Sequence, residues 1–176
     1  MATALLAVAG CTTTTPSEQP PVSTPTRPAV TNGALCDTVA AFFTDELHAV
    51  DVRAVPAAGA NLNVGSSTVC EVTQERNTVG YYSARSARND PDPTDGIRGF
   101  VAAPALGEAI WLYDLRADAA NPSTRVRFAT RIGHWNATLE IRDTETRVAS
   151  GELHITDEDK RKAVGLLEEL TRSIAD

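Results

Sequence analysis

An alternating segment between residues 125 and 142 constrains the fold more than any other part of the sequence. From 125 to 132, Val, Phe, Thr and Ile occupy the even positions, and arginines occupy three of the odd ones. From 135 to 141, Trp, Ala, Leu and Ile occupy the odd positions. A period of two predicts strands with one buried face, and Gly133-His134 between the runs fits a two-residue type II′ turn. The segment therefore predicts a β-hairpin with an outer face that carries arginines.

Helical patterns stand at both ends of the remaining chain. Apolar residues at helical spacing predict one helix over 35–50 and another that ends near residue 174. Thr156, followed by three acidic residues, is typical of a capped helix start. Short runs at 68–73 and 109–115 add strands. We expect an α+β fold, with a mostly antiparallel sheet of about five strands packed against both helices in a two-layer sandwich.

The first residues of the chain indicate export. Residues 1–10 are small and apolar apart from Thr3, and they lead directly into Cys11 in a pattern that resembles a bacterial lipobox. We expect residues 1–10 to be a signal peptide remnant, and Cys11 to carry acyl chains such as palmitate. Only ten residues precede Cys11 and none is basic, so Met1 would lie inside a longer natural signal. The alternative is an alanine-rich cytosolic N-terminus with an isolated cysteine.

A tether follows the predicted anchor. Threonine, serine and five prolines dominate the sequence up to residue 31, and proline favours extended, solvated backbone over a packed core. We therefore expect 11–33 to be an acylated cysteine and spacer, and 34–176 to be a single globular domain. This architecture places the domain at the outer face of the cytoplasmic membrane.

Two cysteines remain for the globular domain. Cys36 lies on the apolar stripe of the first predicted helix, and Cys70 has the inward parity of the strand 68–73. An oxidising compartment predicts a disulfide between them. A metal site is not expected, because the two cysteines have neither a C-x-x-C pair nor suitably spaced histidines.

The assembled features resemble the cysteine-paired lipoproteins of actinobacteria, many of unknown function, and the related extracytoplasmic sensor domains with a Mog1/PsbP-like sandwich. The residues that carry the resemblance are Cys11, the Thr/Pro tether, Cys36, Cys70, the run 106–111 and the run 131–133. The resemblance implies an extracytoplasmic α+β domain over most of residues 34–175. It transfers no catalytic residue to this chain.

Few residues suggest chemistry. The acidic loop 89–96 departs from the order of an EF-hand and favours a solvated turn over a calcium site. The three histidines have no spacing that predicts a shared metal or catalytic site. Trp111, Tyr113 and Trp135 are candidates for a ligand pocket between sheet and helix, although filling of the core is the favoured explanation for them. No cofactor is expected.

These observations favour a non-enzymatic binding module. The formal net charge of −7 repels polyanions, so nucleic acid is not an expected partner. No nucleophile elbow, phosphate loop or dinucleotide fingerprint occurs in the sequence. We expect an envelope lipoprotein that binds an envelope protein or a lipid. The alternative is an extracytoplasmic hydrolase or other enzyme that uses scattered residues such as Asp90, Asp92, His134 or His154, which would have to converge.

Overall fold

The computed structural model describes residues 29–120 and 122–175. The predicted signal peptide, Cys11 and most of the predicted tether therefore lie outside the described residues. In chain order the strands are β1 Val52–Pro56, β2 Ser67–Gln74, β3 Asn77–Ser86, β4 Val101–Ala102, β5 Ile110–Asp114, β6 Arg125–Ile132, β7 Trp135–Arg142, β8 Arg147–Val148 and β9 Gly151–Glu152.

One antiparallel sheet contains the first seven strands, in the spatial order β1-β2-β3-β7-β6-β5-β4. Strands β8 and β9 form a separate two-stranded ribbon. The α+β class and the antiparallel sheet are confirmed. The expected size of about five strands is wrong, because the main sheet has seven.

The first helix departs from its predicted bounds, whereas the last helix follows its predicted Thr156 cap. Helix α1 spans Asn32–Ala41, continues as a π-helical turn over Phe42–Glu46, and is followed late in the chain by α2, Asp157–Ala175. The start of α1 precedes the predicted residue 35 because Thr31 accepts a hydrogen bond from the Ala34 amide at 3.2 Å. Residues 30–33, assigned to the tether above, are thus part of the fold. None of the helices described in the structure is long and apolar enough to cross a membrane.

Both helices lie on the same face of the sheet. Cys36 in α1 forms a disulfide with Cys70 in β2, as the sequence predicts, with 5.3 Å between their Cα atoms. Cys70 pairs directly with Tyr82 of β3, so these two side chains share a face. Tyr82 in turn faces Thr171 of α2. The two helices and this face of the sheet enclose the hydrophobic core.

The predicted hairpin is confirmed residue for residue. Strands β6 and β7 have the expected bounds, and Ile132 pairs with Trp135 across the turn. Gly133 has a φ of 59°, which suits the first position of a type II′ turn. The register pairs Arg127 with Glu140 and Arg125 with Arg142, and it directs these four side chains away from the helices.

Candidate binding surface on the open face of the sheet

Within residues 29–120 and 122–175, no helix lies over the second face of the sheet, which we call the open face. The loop between β3 and β4, residues 87–100, crosses one end of this face. Asn136 holds the loop by donating to the carbonyls of Asp90 and Asp92 at 3.1 and 2.8 Å, and Arg131 donates to the Asp90 carbonyl at 2.8 Å. Among the described residues, side chains of the strands themselves form the rest of the open face.

The acidic residues in this loop are used internally. Arg85 forms ion pairs with Asp90, at 2.7 Å, and with Asp95. Asp92 accepts hydrogen bonds from the Thr94 hydroxyl and from the backbone amides of Thr94 and Gly96 within the turn. These bonds lower the pKa of both Asp90 and Asp92. Within residues 29–120 and 122–175, no group of three or more His, Cys, Asp or Glu side chains is arranged to hold a metal ion.

A buried carboxylate organises the uncovered part of the open face. We define the Glu140 cluster as Tyr81, Tyr113, Arg125, Arg127, Glu140 and Arg142. The Glu140 side chain is only 1% exposed and forms a close hydrogen-bonded ion pair with Arg127. Arg127 lies between two tyrosines, with its guanidinium carbon 5.8 Å from the ring centroids of both Tyr81 and Tyr113. The ion pair and the two rings fix the position of Arg127.

Two further arginines approach Glu140 less closely. The Nε atom of Arg142 lies 3.4 Å from Glu140 Oε1, and that of Arg125 lies 3.9 Å from the same oxygen. Arg142 also contacts Glu145 at 3.2 Å, and Glu145 accepts a hydrogen bond from Thr124. The Thr124 hydrogen bond and then Arg142 lower the pKa of Glu145.

The surroundings of Tyr81, which lies beside the buried carboxylate, shift the pKa of its phenol. Burial raises the pKa of Tyr81, and the negative charge of Glu140 raises it further, whereas Arg127 opposes the shift. Tyr81 therefore stays neutral at physiological pH and can donate a hydrogen bond. The cluster presents guanidinium and phenol donors around a carboxylate that is already satisfied.

The predicted aromatic pocket is wrong. Trp111 pairs with Ala129, and Tyr113 pairs with Arg127, so both aromatics lie on the open face. Trp135 has the opposite parity and is buried on the helix-covered face. The sheet separates Trp135 from the other two, because successive side chains of a strand point to opposite faces. The three residues do not line one pocket.

The structure does not link the two aspartates suggested for an enzyme to the suggested histidines by hydrogen bonds. His134 lies in the turn between β6 and β7, where its carbonyl accepts a hydrogen bond from the Ala87 amide at 2.7 Å. Asp90 and Asp92 are bound in the loop, whereas His154 lines a hollow of about 410 Å³ with His48, beside the start of α2. Among the described residues, no hydrogen bond joins either aspartate to a histidine. The structure thus brings two histidines to one hollow, a proximity that their spacing in sequence does not indicate.

Two other concavities are less suited to a specific ligand. A hollow of about 190 Å³ lies under the 87–100 loop, beside Val69, Ser83 and Thr138, and is smaller than the roughly 300–1,000 Å³ of typical ligand pockets. A shallow groove of about 400 Å³ runs between the π-helical turn and α2, beside Phe42 and Leu166. Both of these side chains are already buried in the core.

Sequence reasoning placed the arginines of the hairpin on an outer face but did not identify the Glu140 cluster. A signal for it exists, because a two-residue turn at Gly133-His134 sets the register of both strands. Counting back from the turn pairs Arg127 with Glu140. The contributions of Tyr81 and Tyr113 carry no such signal, because they come from β3 and β5.

Comparison of the chain with protein-family models, with curated proteins and with solved structures gives no match.

Proposed function

We propose that this chain is a lipid-anchored lipoprotein at the outer face of the cytoplasmic membrane, with a domain that acts as a non-enzymatic binding module. The helices and the sheet would form its two layers, and the open face around the Glu140 cluster would bind an envelope protein or lipid. The Cys11 pattern and the Thr/Pro-rich segment after it support the address.

A single structural observation carries the proposed binding role. Both helices pack on one face, and the opposite face keeps arginine and tyrosine side chains at its surface. Arginine and tyrosine are enriched where proteins bind partners, because each combines a large contact area with hydrogen-bond donors.

Site-specific photocrosslinking in producing cells tests the proposal. A photoreactive phenylalanine at position 71, the exposed partner of Tyr81 on the open face, is compared with the same residue at position 169, which is exposed on α2. We expect a discrete adduct from position 71 that disappears when Arg125→Glu is added. Adducts from position 169 alone, or from neither position, would contradict a binding role for the open face.

A further inference from the structure

A pair of like charges stands at one end of the open face. Arg125 and Arg142 are direct cross-strand partners on β6 and β7, a geometry that brings Cβ atoms to roughly 4.5–5.5 Å. Like charges directly opposite each other on a sheet destabilise it. The pair therefore requires negative charge between or above the two guanidinium groups.

Glu140 satisfies this requirement only in part. Its carboxylate is already in close contact with Arg127, and its Oε1 lies 3.4 Å from Arg142 and 3.9 Å from Arg125. The second distance exceeds the 2.7–3.2 Å range of an N–H···O hydrogen bond. The Arg125 side chain is 49% exposed, and its guanidinium makes no hydrogen bond to the described residues.

The charge count points the same way. Three guanidinium groups surround Glu140, and the only other carboxylate of the described residues that forms an ion pair with them is Glu145, through Arg142. The cluster with Glu145 thus has one more positive than negative charge, within a chain whose formal net charge is −7. Arg127 is 14% exposed and Arg125 is 49% exposed, so the unsatisfied donors are those nearest to solvent.

We propose that Arg125 and Arg142 bind an oxyanion of the ligand, either a carboxylate or a phosphate group. Two adjacent guanidinium groups match the paired oxygens of such a group. Glu140 forms ion pairs with both arginines, and Tyr81 lies on the next strand as a further donor. This inference rests on the proposed binding role of the open face and specifies the chemistry of what binds there.

Titration of the oxidised full-length chain tests the inference. Side-chain Nε–Hε resonances of arginine are followed by NMR with inorganic phosphate in one series and succinate in another, each at ionic strength matched with sodium chloride. We expect saturable shifts for Arg125 and Arg142, with binding at least about tenfold weaker in Arg125→Gln, the loss typical of one charge-assisted contact. Saturation by phosphate alone identifies a phosphate ligand, and saturation by succinate alone identifies a carboxylate.

The matched control is Arg53→Gln, because Arg53 is exposed on β1 and its strand parity places it on the same open face. This variant should bind as the parent chain does, and the anion should raise the Tm of the parent and of Arg53→Gln but not of Arg125→Gln. Shifts that do not saturate, or saturation that persists in Arg125→Gln, would overturn the inference. If the anion titration saturates but crosslinks form only from position 169, the proposed binding role of the open face would be overturned. The oxyanion site itself would then still be supported.

Discussion

Cys70 and Tyr82 lie directly opposite each other on β2 and β3, beneath both helices. Cys70 carries the covalent link to α1. The hydroxyl of Tyr82 is buried and, among the described residues, has no hydrogen-bond partner. Thr171 faces it, but its hydroxyl donates to the Leu167 carbonyl at 2.6 Å. This cross-strand pair thus places the disulfide, which restricts the core covalently, next to a buried hydroxyl without a hydrogen-bond partner.

The double variant Cys36→Ala/Cys70→Ala should lower the free energy of unfolding. The bond joins residues 34 apart in sequence, and a loop of that length is expected to contribute roughly 3–4 kcal/mol by restricting the unfolded chain. Urea unfolding of the parent and the variant measures the difference. Cys11→Ser is the control and should leave the midpoint unchanged, and a double variant as stable as the parent would contradict the prediction.

Tyr82→Phe should raise the free energy of unfolding by about 1 kcal/mol, because it removes a buried hydroxyl that lacks a partner. The ring, which fills the core, is retained. Chemical denaturation measures the change, and burial raises the pKa of this phenol, so the parent should also show no ionisation of Tyr82 before alkaline unfolding. A loss of more than about 1 kcal/mol would mean that the hydroxyl is bonded after all.

Gly80→Ala should destabilise the domain. A Cβ on Gly80 would lie 2.5 Å from Phe43 Cζ and 2.6 Å from the Glu140 carbonyl oxygen. Because one of these neighbours is backbone of the adjacent strand, we expect a loss of about 1–3 kcal/mol, as for other overpacked sites. Gly65→Ala is the matched control, since nothing lies within 4 Å of its added methyl group. Thermal unfolding of both variants should therefore separate them clearly.

The ionised carboxylate of Asp114 should stabilise the domain at neutral pH, and this stabilisation should disappear in acid. A hydrogen bond from Arg116, and then one from Lys160, lower the pKa of Asp114 to about 2. The pKa of an aspartate in an unfolded chain is about 3.9. The interaction therefore stabilises the fold above about pH 4, and this stabilisation is lost as the pH falls towards 2.

The corresponding experiment compares the parent with Asp114→Asn by urea unfolding at several pH values. At pH 7 the variant should be less stable by about 1–2 kcal/mol, a range that allows for partial solvent screening. The difference should shrink steadily below pH 4 because the parent then loses the same charge. Asp37→Asn, at an exposed position of α1, should show no such trend, and a difference that is equal at pH 2 and pH 7 would refute the assignment.

The proposed lipid anchor makes a separate prediction. Cells that produce the chain with its natural signal should incorporate a clickable palmitate analogue into the parent protein, and Cys11→Ala should abolish the label, because no other cysteine is free. In-gel fluorescence measures the incorporation. Cys36→Ala/Cys70→Ala should keep the label, whereas a parent chain that never acquires it would exclude lipidation.

Local patterns predicted those elements in which periodicity and turn chemistry agree. The hairpin is one example, and α2 is another, since Thr156 and Asp159 form the reciprocal cap that the residue types indicate. Strand β3 carries no comparable signal because its sequence mixes Asn, Thr, Ser and Arg with two tyrosines. Its central place in the sheet depends on pairing with both β2 and β7, which are distant from each other in sequence.

The sequence alone determined the α+β class, the disulfide partners and the parity of the hairpin, because each depends on neighbours along the chain or on residue chemistry. Only the tertiary structure decided which residues share a surface. It separated Trp135 from Trp111 by one sheet and joined Tyr81 and Tyr113 around Arg127. Both outcomes depend on the order of the strands. Alternation along a strand shows which of its side chains share a face, but the neighbouring strands decide which residues lie beside them on that face.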